Sequence, residues 1–337
     1  MFHKTLRVVN MGNQWGFDHK PWEAHVGSSS EPCTGGERDS VPSMRRPQIS
    51  LQRFRLVVWT AFGSLYAIVV TGSLVRLTGS GLGYSDWPNC NSTKFVDIST
   101  GHAAIEQINR LFTGVVAASV ILAVSSSILL SPPSRRITTN AAMLVVGVLI
   151  QVVLGAYVVF TGLNPWSNMA HFLVSIVLVS AAFVLVKRVE VLIEPREMRE
   201  IRDKPLRWAL IAVTSAVVFL GTVVTGAGPH SGSVEATRLG ISVKRATQMH
   251  SISVWIMVFV AVVLAMRARR NSAQWNAEGP IIMRLVAALS AQGFIGYVQY
   301  FAGVPAPLVA AHVALSLIVW LCAFAVFLPV STLLVLD

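Results

Sequence analysis

Six long stretches of this chain contain no Asp, Glu, Lys or Arg, and they restrict the possible fold more than any other feature. A helix rises 1.5 Å per residue, so about 20 apolar residues cross the hydrocarbon core of a bilayer. Four stretches have the length of one such helix, whereas two hold about 50 residues each. The six stretches cover residues 56–75, 111–134, 137–186, 208–234, 246–266 and 285–336.

A turn signal lies near the middle of each of the two longest stretches, where Gly and Pro interrupt a helix. The first is Gly-Leu-Asn-Pro at residues 162–165, and the second is Gly-Val-Pro-Ala-Pro at residues 303–307. Each long stretch is therefore two helices. The alternating ten-residue segments of a membrane barrel are absent from the sequence. The predicted fold class is an all-α membrane protein with eight transmembrane helices.

Composition agrees with a protein that crosses the membrane several times. Hydrophobic residues make up 53% of the chain and charged residues 13%, against about 25% charged residues in soluble domains. These proportions exclude an ordinary soluble enzyme, and three cysteines are too few for a disulfide scaffold or a four-cysteine metal site. We attribute the net charge of +11 to basic cytoplasmic loops and expect no nucleic-acid partner.

The distribution of Lys and Arg sets the predicted orientation, because cytoplasmic loops carry an excess of both. Of 27 such residues, 21 fall on one side: eight before residue 56, two after the second helix, seven at 187–207 and four at 267–284. Both termini are therefore predicted to be cytoplasmic, and Met44 is an alternative start to Met1. The predicted parts are a disordered tail (1–52), a first half (53–190), a connector (191–205) and a second half (206–337).

The two halves repeat each other at an offset of 141 residues. Five equivalent pairs at one offset, four of them identical, indicate a tandem duplication, and an even number of helices per unit gives both copies the same orientation. We therefore expect two pseudo-symmetric four-helix bundles. The matching pairs are Gln107 and Gln248, Asn109 and His250, Gln151 and Gln292, Gly155 and Gly296, and His171 and His312.

Histidines inside the predicted helices are candidate functional residues, because polar side chains are costly in a membrane. His250 and His312 lie on the sixth and eighth helices, and two facing histidines in a bundle can hold one haem iron from both sides. The alternative is two separate histidines, each hydrogen-bonded to a neighbouring backbone or hydroxyl group. The repeat favours the paired interpretation.

The first half keeps His171, but Asn109 occupies the position equivalent to His250. Asn is a poor ligand of haem iron, so the two halves differ in role. His102, Glu106 and Asn109 are spaced i, i+4 and i+7 and share one helix face. With His171 they indicate a reaction site with an open iron position. Two simpler interpretations remain: an ion pair between Glu106 and Arg110, and a helix-start position for His102.

Six short sequence motifs are together specific enough to indicate a family. They are Thr71-Gly72-Ser73-x2-Arg76-Leu77-Thr78-Gly79-Ser80-Gly81-Leu82, Trp87-Pro88-x-Cys90, Glu106-x2-Asn109-Arg110, Thr161-Gly162-x-Asn164-x5-Ala170-His171, Met249-His250 and Ala311-His312. In these segments the chain resembles the haem A synthase family, over residues 53–330.

The resemblance implies a bacterial cell-membrane enzyme that oxidises the C8 methyl of haem O to a formyl group by successive hydroxylations, supplying haem A to cytochrome oxidase. It implies that His250 and His312 bind a haem b cofactor through its iron. It places the substrate haem O in the first half, near His171, Asn109 and His102, with His171 on the iron. Glu106 would be the catalytic carboxylate, moving protons or stabilising a cationic carbon. A haem O synthase would be a partner, and the electron donor is unknown.

The chain departs from the family pattern at two positions. Many members carry Glu-x2-His-Arg where this chain has Asn109, which leaves His102 as the alternative second ligand of the substrate haem. Many also carry two cysteines in the first external loop, whereas only Cys90 is present here, so a disulfide within that loop is excluded. Two other classes stay open: a membrane haem b electron-transfer protein, which needs no reactive carboxylate, and a transporter.

Overall fold

A computed structural model describes residues 48–82, 100–195, 202–233 and 236–328. These residues form eight helices of 22 to 30 residues, and they contain no strand beyond a bridge between Ile49 and Leu130. The predicted tail up to residue 47, the loop with Cys90 and residues 196–201 of the connector lie outside the described residues. The helices are α1 (Leu51–Leu77), α2 (Gly101–Ile128), α3 (Arg135–Phe160), α4 (Pro165–Ile193), α5 (Lys204–Ala227), α6 (Val243–Arg269), α7 (Ser272–Phe301) and α8 (Ala306–Phe327).

All eight helices are long and apolar enough to cross a membrane, which confirms the predicted fold class. At 1.5 Å per residue they are about 33 to 45 Å long, against a hydrocarbon core of about 30 Å. Large apolar side chains such as Phe160 and Phe259 are exposed, as expected where lipid is the solvent. The helices extend beyond the charge-free stretches, and α6 includes Lys244 and Arg245.

Left-handed backbone turns separate the helices within the two longest apolar stretches. Gly162 and Leu163 both have φ of 60° before α4, and Gly303 and Val304 have φ of 78° and 63° before α8. A positive φ costs little for Gly but is unfavourable for Leu163 and Val304, so the surrounding packing must help to hold these turns. The two turns are related by the same offset as the histidines, so the repeat extends to backbone conformation.

The helices pack as two rings of four. Helices α1 to α4 each contact the next and α4 returns to α1, and α5 to α8 do the same, while α1 and α4 contact α8 and α4 contacts α5. Polar side chains join the rings: Tyr66 Oη donates to the Ala314 carbonyl at 2.8 Å, and Trp320 Nε1 donates to Ser180 Oγ at 2.7 Å. In an apolar medium such hydrogen bonds help to fix how helices pack.

The described parts of the connections before the even-numbered helices meet at one end of the bundle, called here the predicted outer end. Gly81 N donates to the Gly232 carbonyl at 3.1 Å, and His230 Nε2 lies 2.8 Å from the Val304 carbonyl. At the opposite end the buried Arg207 binds the Val326 carbonyl and the Glu278 carboxylate. The orientation of these ends relative to the cell remains a prediction.

Candidate functional site

A cavity of about 1560 Å³ receives side chains from all eight helices. It exceeds the range of about 300–1000 Å³ usual for sites of small ligands. Its walls are mainly apolar, so the space can hold a large hydrophobic ligand. The cavity brings together most of the residues singled out from the sequence: Glu106, Asn109, His171, His250 and His312.

The two histidines of the second ring, His250 and His312, both line the cavity. His250 Nδ1 lies 3.1 Å from the Val217 carbonyl on α5, and a carbonyl accepts only when Nδ1 carries the proton. That tautomer leaves the Nε2 lone pair available to a metal. His312 Nδ1 is buried and has no hydrogen-bond partner among the described residues.

The three imidazoles each lie against a glycine of a neighbouring helix. A Cβ on Gly221 would stand 3.3 Å from His250 Cε1, one on Gly296 would stand 3.2 Å from His312 Cε1, and one on Gly155 would stand 3.6 Å from His171 Cε1. The missing side chains make room for the rings. The sequence repeat identified two of these glycines and missed Gly221, whose signal is a helix-disfavouring residue inside an apolar span.

The histidines of α4 and α8 are supported by matching glutamines. Gln151 Nε2 donates to the His171 carbonyl at 3.1 Å, and Gln292 Nε2 donates to the His312 carbonyl at 3.0 Å. Each bond ties the histidine's helix to the preceding helix of its ring. These two glutamine–histidine pairs, which match in sequence, therefore also match in this contact.

Glu106 is buried on α2, with 6% of its surface exposed. Arg110 Nη2 lies 2.6 Å from its Oε1, so the ion pair weighed as an alternative is present. The pair also lines the cavity, so an ion-pair role and a role in the site are compatible. One turn further along α2, Asn109 accepts a hydrogen bond from the Thr71 hydroxyl at 2.9 Å.

His102 is not brought to the cavity with the other predicted site residues. It lies in the first turn of α2, is exposed, and has Nδ1 2.9 Å from Ser80 Oγ. This location matches the helix-start interpretation of the residue.

Three cations line the cavity against one carboxylate, Glu106, among the described residues. Arg110 pairs with that carboxylate, and Lys244 is exposed at the start of α6. Arg76 is half-buried near the end of α1, and its guanidinium has no hydrogen-bond partner among the described residues. A guanidinium in an apolar wall is costly without an anion. The sequence pattern gave no individual role to Arg76.

The donor set suits haem better than a bare metal ion. Among the described residues no group of three or more His, Cys, Asp or Glu side chains has the arrangement of a metal site. A porphyrin supplies four nitrogen ligands itself and needs only axial imidazoles. Rings set against glycines, a tautomer with a free Nε2 and a guanidinium available to a carboxylate all fit that group.

Comparison with known proteins gives an independent line of inference. Residues 94–324, about two thirds of the chain, match the family of cytochrome oxidase assembly proteins designated COX15-CtaA. The chain is 30% identical to the heme A synthase of Lysinibacillus sphaericus (strain C3-41) over 184 residues, covering 52% of this chain and 59% of that protein. It is 33% identical to the heme A synthase of Bacillus pumilus (strain SAFR-032) over 180 residues, covering 50% and 57%. The chain thus spans little more than half the length of these relatives.

Proposed function

The chain belongs to the COX15-CtaA family of cytochrome oxidase assembly proteins, and on that premise we propose that it is a haem A synthase, a membrane oxidoreductase that converts haem O to haem A. The observation that carries the proposal is the shared cavity, in which three intramembrane histidines and a buried carboxylate line one apolar space. Eight apolar helices and bacterial relatives describe a multi-pass bacterial membrane protein. Haem O synthase and an electron donor are its proposed partners.

The second ring is proposed to hold the haem b cofactor. His250 and His312 would bind the iron of this haem. The Val217 carbonyl fixes the tautomer of His250, and Gln292 fixes the position of the helix that carries His312. When bound, haem supplies the electron transfer and oxidising chemistry that no protein side chain provides. The role of the chain is to orient the ring and to exclude water from it.

The first ring is proposed to bind the substrate haem O at His171. Glu106 would hold or release a proton beside the reacting methyl group, and Arg110 keeps that carboxylate oriented through their ion pair. Arg76 is proposed to bind a propionate of the substrate, since a guanidinium binds carboxylates through two parallel hydrogen bonds. Two tandem rings with distinct roles account for the divergence between Asn109 and His250.

The test of the function is acid-acetone extraction of haem from the purified protein, expressed alongside a haem O synthase. Haem A or a hydroxylated intermediate beside haem b is the expected result. Haem b alone would favour the electron-transfer alternative, and protein without haem would favour a transporter.

Glu106→Gln separates an enzyme from an electron-transfer protein. The substitution keeps the shape of the side chain and removes the ionisable group, so haem b should be retained while haem A falls by about 10²- to 10⁴-fold. Glu190→Gln is the matched control, because Glu190 is also in an ion pair, with Lys187 at 2.7 Å, and does not line the cavity. Normal haem A in Glu106→Gln would refute the catalytic role.

A further inference from the structure

We infer that His171 is the single axial ligand of the substrate haem, so that the first ring is a one-histidine site and the second a two-histidine site. The inference rests on the proposed function and concerns how this chain binds its substrate. It follows from what the structure shows at the two positions that sequence comparison left open, Asn109 and His102.

Asn109 takes the place of His250 in the repeat, but its side chain is engaged elsewhere. The Thr71 hydroxyl donates to Asn109 Oδ1 at 2.9 Å, which ties α2 to α1. An amide oxygen is a weak ligand for haem iron, and this one already accepts a hydrogen bond. At the equivalent position of the second ring, His250 lies against Gly221 and uses Nδ1 for its hydrogen bond, so its Nε2 stays available to an iron. The equivalent position is therefore closed to coordination in the first ring.

His102 does not replace the missing ligand. It lies seven residues before Asn109 on the same helix, which is about 10 Å along the axis. Its Nδ1 interacts with Ser80 Oγ at 2.9 Å, and Ser80 is fully buried, so the imidazole is anchored toward the predicted outer end. The side chain is absent from the cavity wall.

Met169, whose thioether sulfur can also bind haem iron, is a second side chain of α4 on the cavity wall. Its side chain packs with Val223, Ala227 and Ala246 of the second ring. It is two residues from His171, so the two side chains leave α4 on different faces. Among the described residues, His171 is thus the imidazole that the first ring offers to an iron.

A one-histidine haem differs measurably from a two-histidine haem. Two strong axial imidazoles give a low-spin iron with no free position, whereas one imidazole gives a high-spin ferric iron and a ferrous iron open to carbon monoxide. The readout is therefore the spin state and carbon monoxide binding of the protein loaded with haem b and haem O, and does not depend on turnover.

The experiment uses electron paramagnetic resonance on the ferric protein and carbon monoxide titration of the ferrous protein. The wild type should show one low-spin and one high-spin haem, and should bind one carbon monoxide for every two haems. Asn109→His should turn the substrate haem of the first ring low-spin and abolish most of the carbon monoxide binding. Asn109→Ala and His102→Ala should both behave like the wild type, which separates loss of a ligand from local misfolding.

Two results would overturn the inference while leaving the proposed function intact. In the first result, both haems are low-spin in the wild type and the substrate haem becomes high-spin in His102→Ala, which would make His102 its second ligand. In the other result, both haems are low-spin in the wild type and also in His102→Ala, which would place the second ligand of the substrate haem elsewhere. A wild type that takes up no haem O would instead contradict the proposed function.

Discussion

An alanine at position 296 should displace the His312 imidazole and weaken the binding of haem b. The added Cβ would stand 3.2 Å from Cε1 and 3.6 Å from Nδ1 of that ring. Carbon atoms in contact prefer about 3.5–4.0 Å, so the ring has to move by a few tenths of an ångström. Gln292 holds the His312 carbonyl at 3.0 Å, which limits how far the backbone can follow.

Overpacking of this kind costs about 1–3 kcal/mol, and a cost of that size falls on the geometry that binds the iron. We therefore expect the affinity for haem b to fall by about 5- to 150-fold. Replacing a Gly inside a helix by Ala stabilises the helix itself by about 0.5–1 kcal/mol. Haem affinity should thus fall without a matching loss of thermal stability in the haem-free protein, which distinguishes a positioning effect from general damage.

The other cavity glycines provide a graded series for the same assay, transfer of haem to apomyoglobin followed by absorption. Gly221→Ala, at 3.3 Å from His250 Cε1, should behave like Gly296→Ala, whereas Gly155→Ala, at 3.6 Å from His171 Cε1, should disturb its ring little. Gly293→Ala is the control. Gly293 also lines the cavity, but a Cβ added there would have no other side chain or neighbouring helix within 4 Å. Equal haem loss from Gly293→Ala and Gly296→Ala would refute the reasoning.

Three further outcomes are expected. His250→Ala and His312→Ala should each remove the low-spin spectrum of haem b, and an unchanged Soret band in both variants would refute the pairing. Arg76→Gln should weaken haem O binding by roughly 10- to 100-fold, as for loss of a hydrogen bond to a charged group. Binding of haem O dimethyl ester, which has no free propionate, should change little. Equal losses for the acid and the ester would contradict a contact between Arg76 and a propionate. A membrane-impermeant thiol reagent should label Cys90 but not Cys33 in intact cells, and the reverse pattern would invert the predicted orientation.

The architecture could be predicted because its causes are local. Charges are too costly inside lipid, so the chain marks its helices by their absence, and Gly and Pro mark the turns at residues 162–165 and 303–307. The histidines could be predicted because they recur at a constant offset of 141 residues within apolar stretches, His171 with His312 and His250 with Asn109 in its place. Their placement in one cavity agrees with that pattern.

Several features of the site could not be predicted, because they depend on how helices rotate and approach one another. Gly221 is one glycine among 24 in the sequence, and it matters because α5 brings it beneath His250. His102 shares a helix face with Glu106 by spacing, yet it lies too near the helix start to reach the cavity wall. Periodicity gives the face of a residue but not its depth relative to a neighbouring helix.

The sequence alone was enough to predict the eight apolar helices, the repeat between the two halves and the family. The helices depend on the cost of placing charges in lipid, the repeat on the spacing of residues, and the family on short motifs along the chain. Packing in three dimensions decided which contacts individual polar groups make. It engaged Asn109 with Thr71, paired Glu106 with Arg110 and left the Arg76 guanidinium at the cavity wall without a hydrogen-bond partner among the described residues. The physical reason is that a hydrogen bond or an ion pair forms only when two helices bring its partners within about 3 Å, and no pattern within one helix encodes that distance.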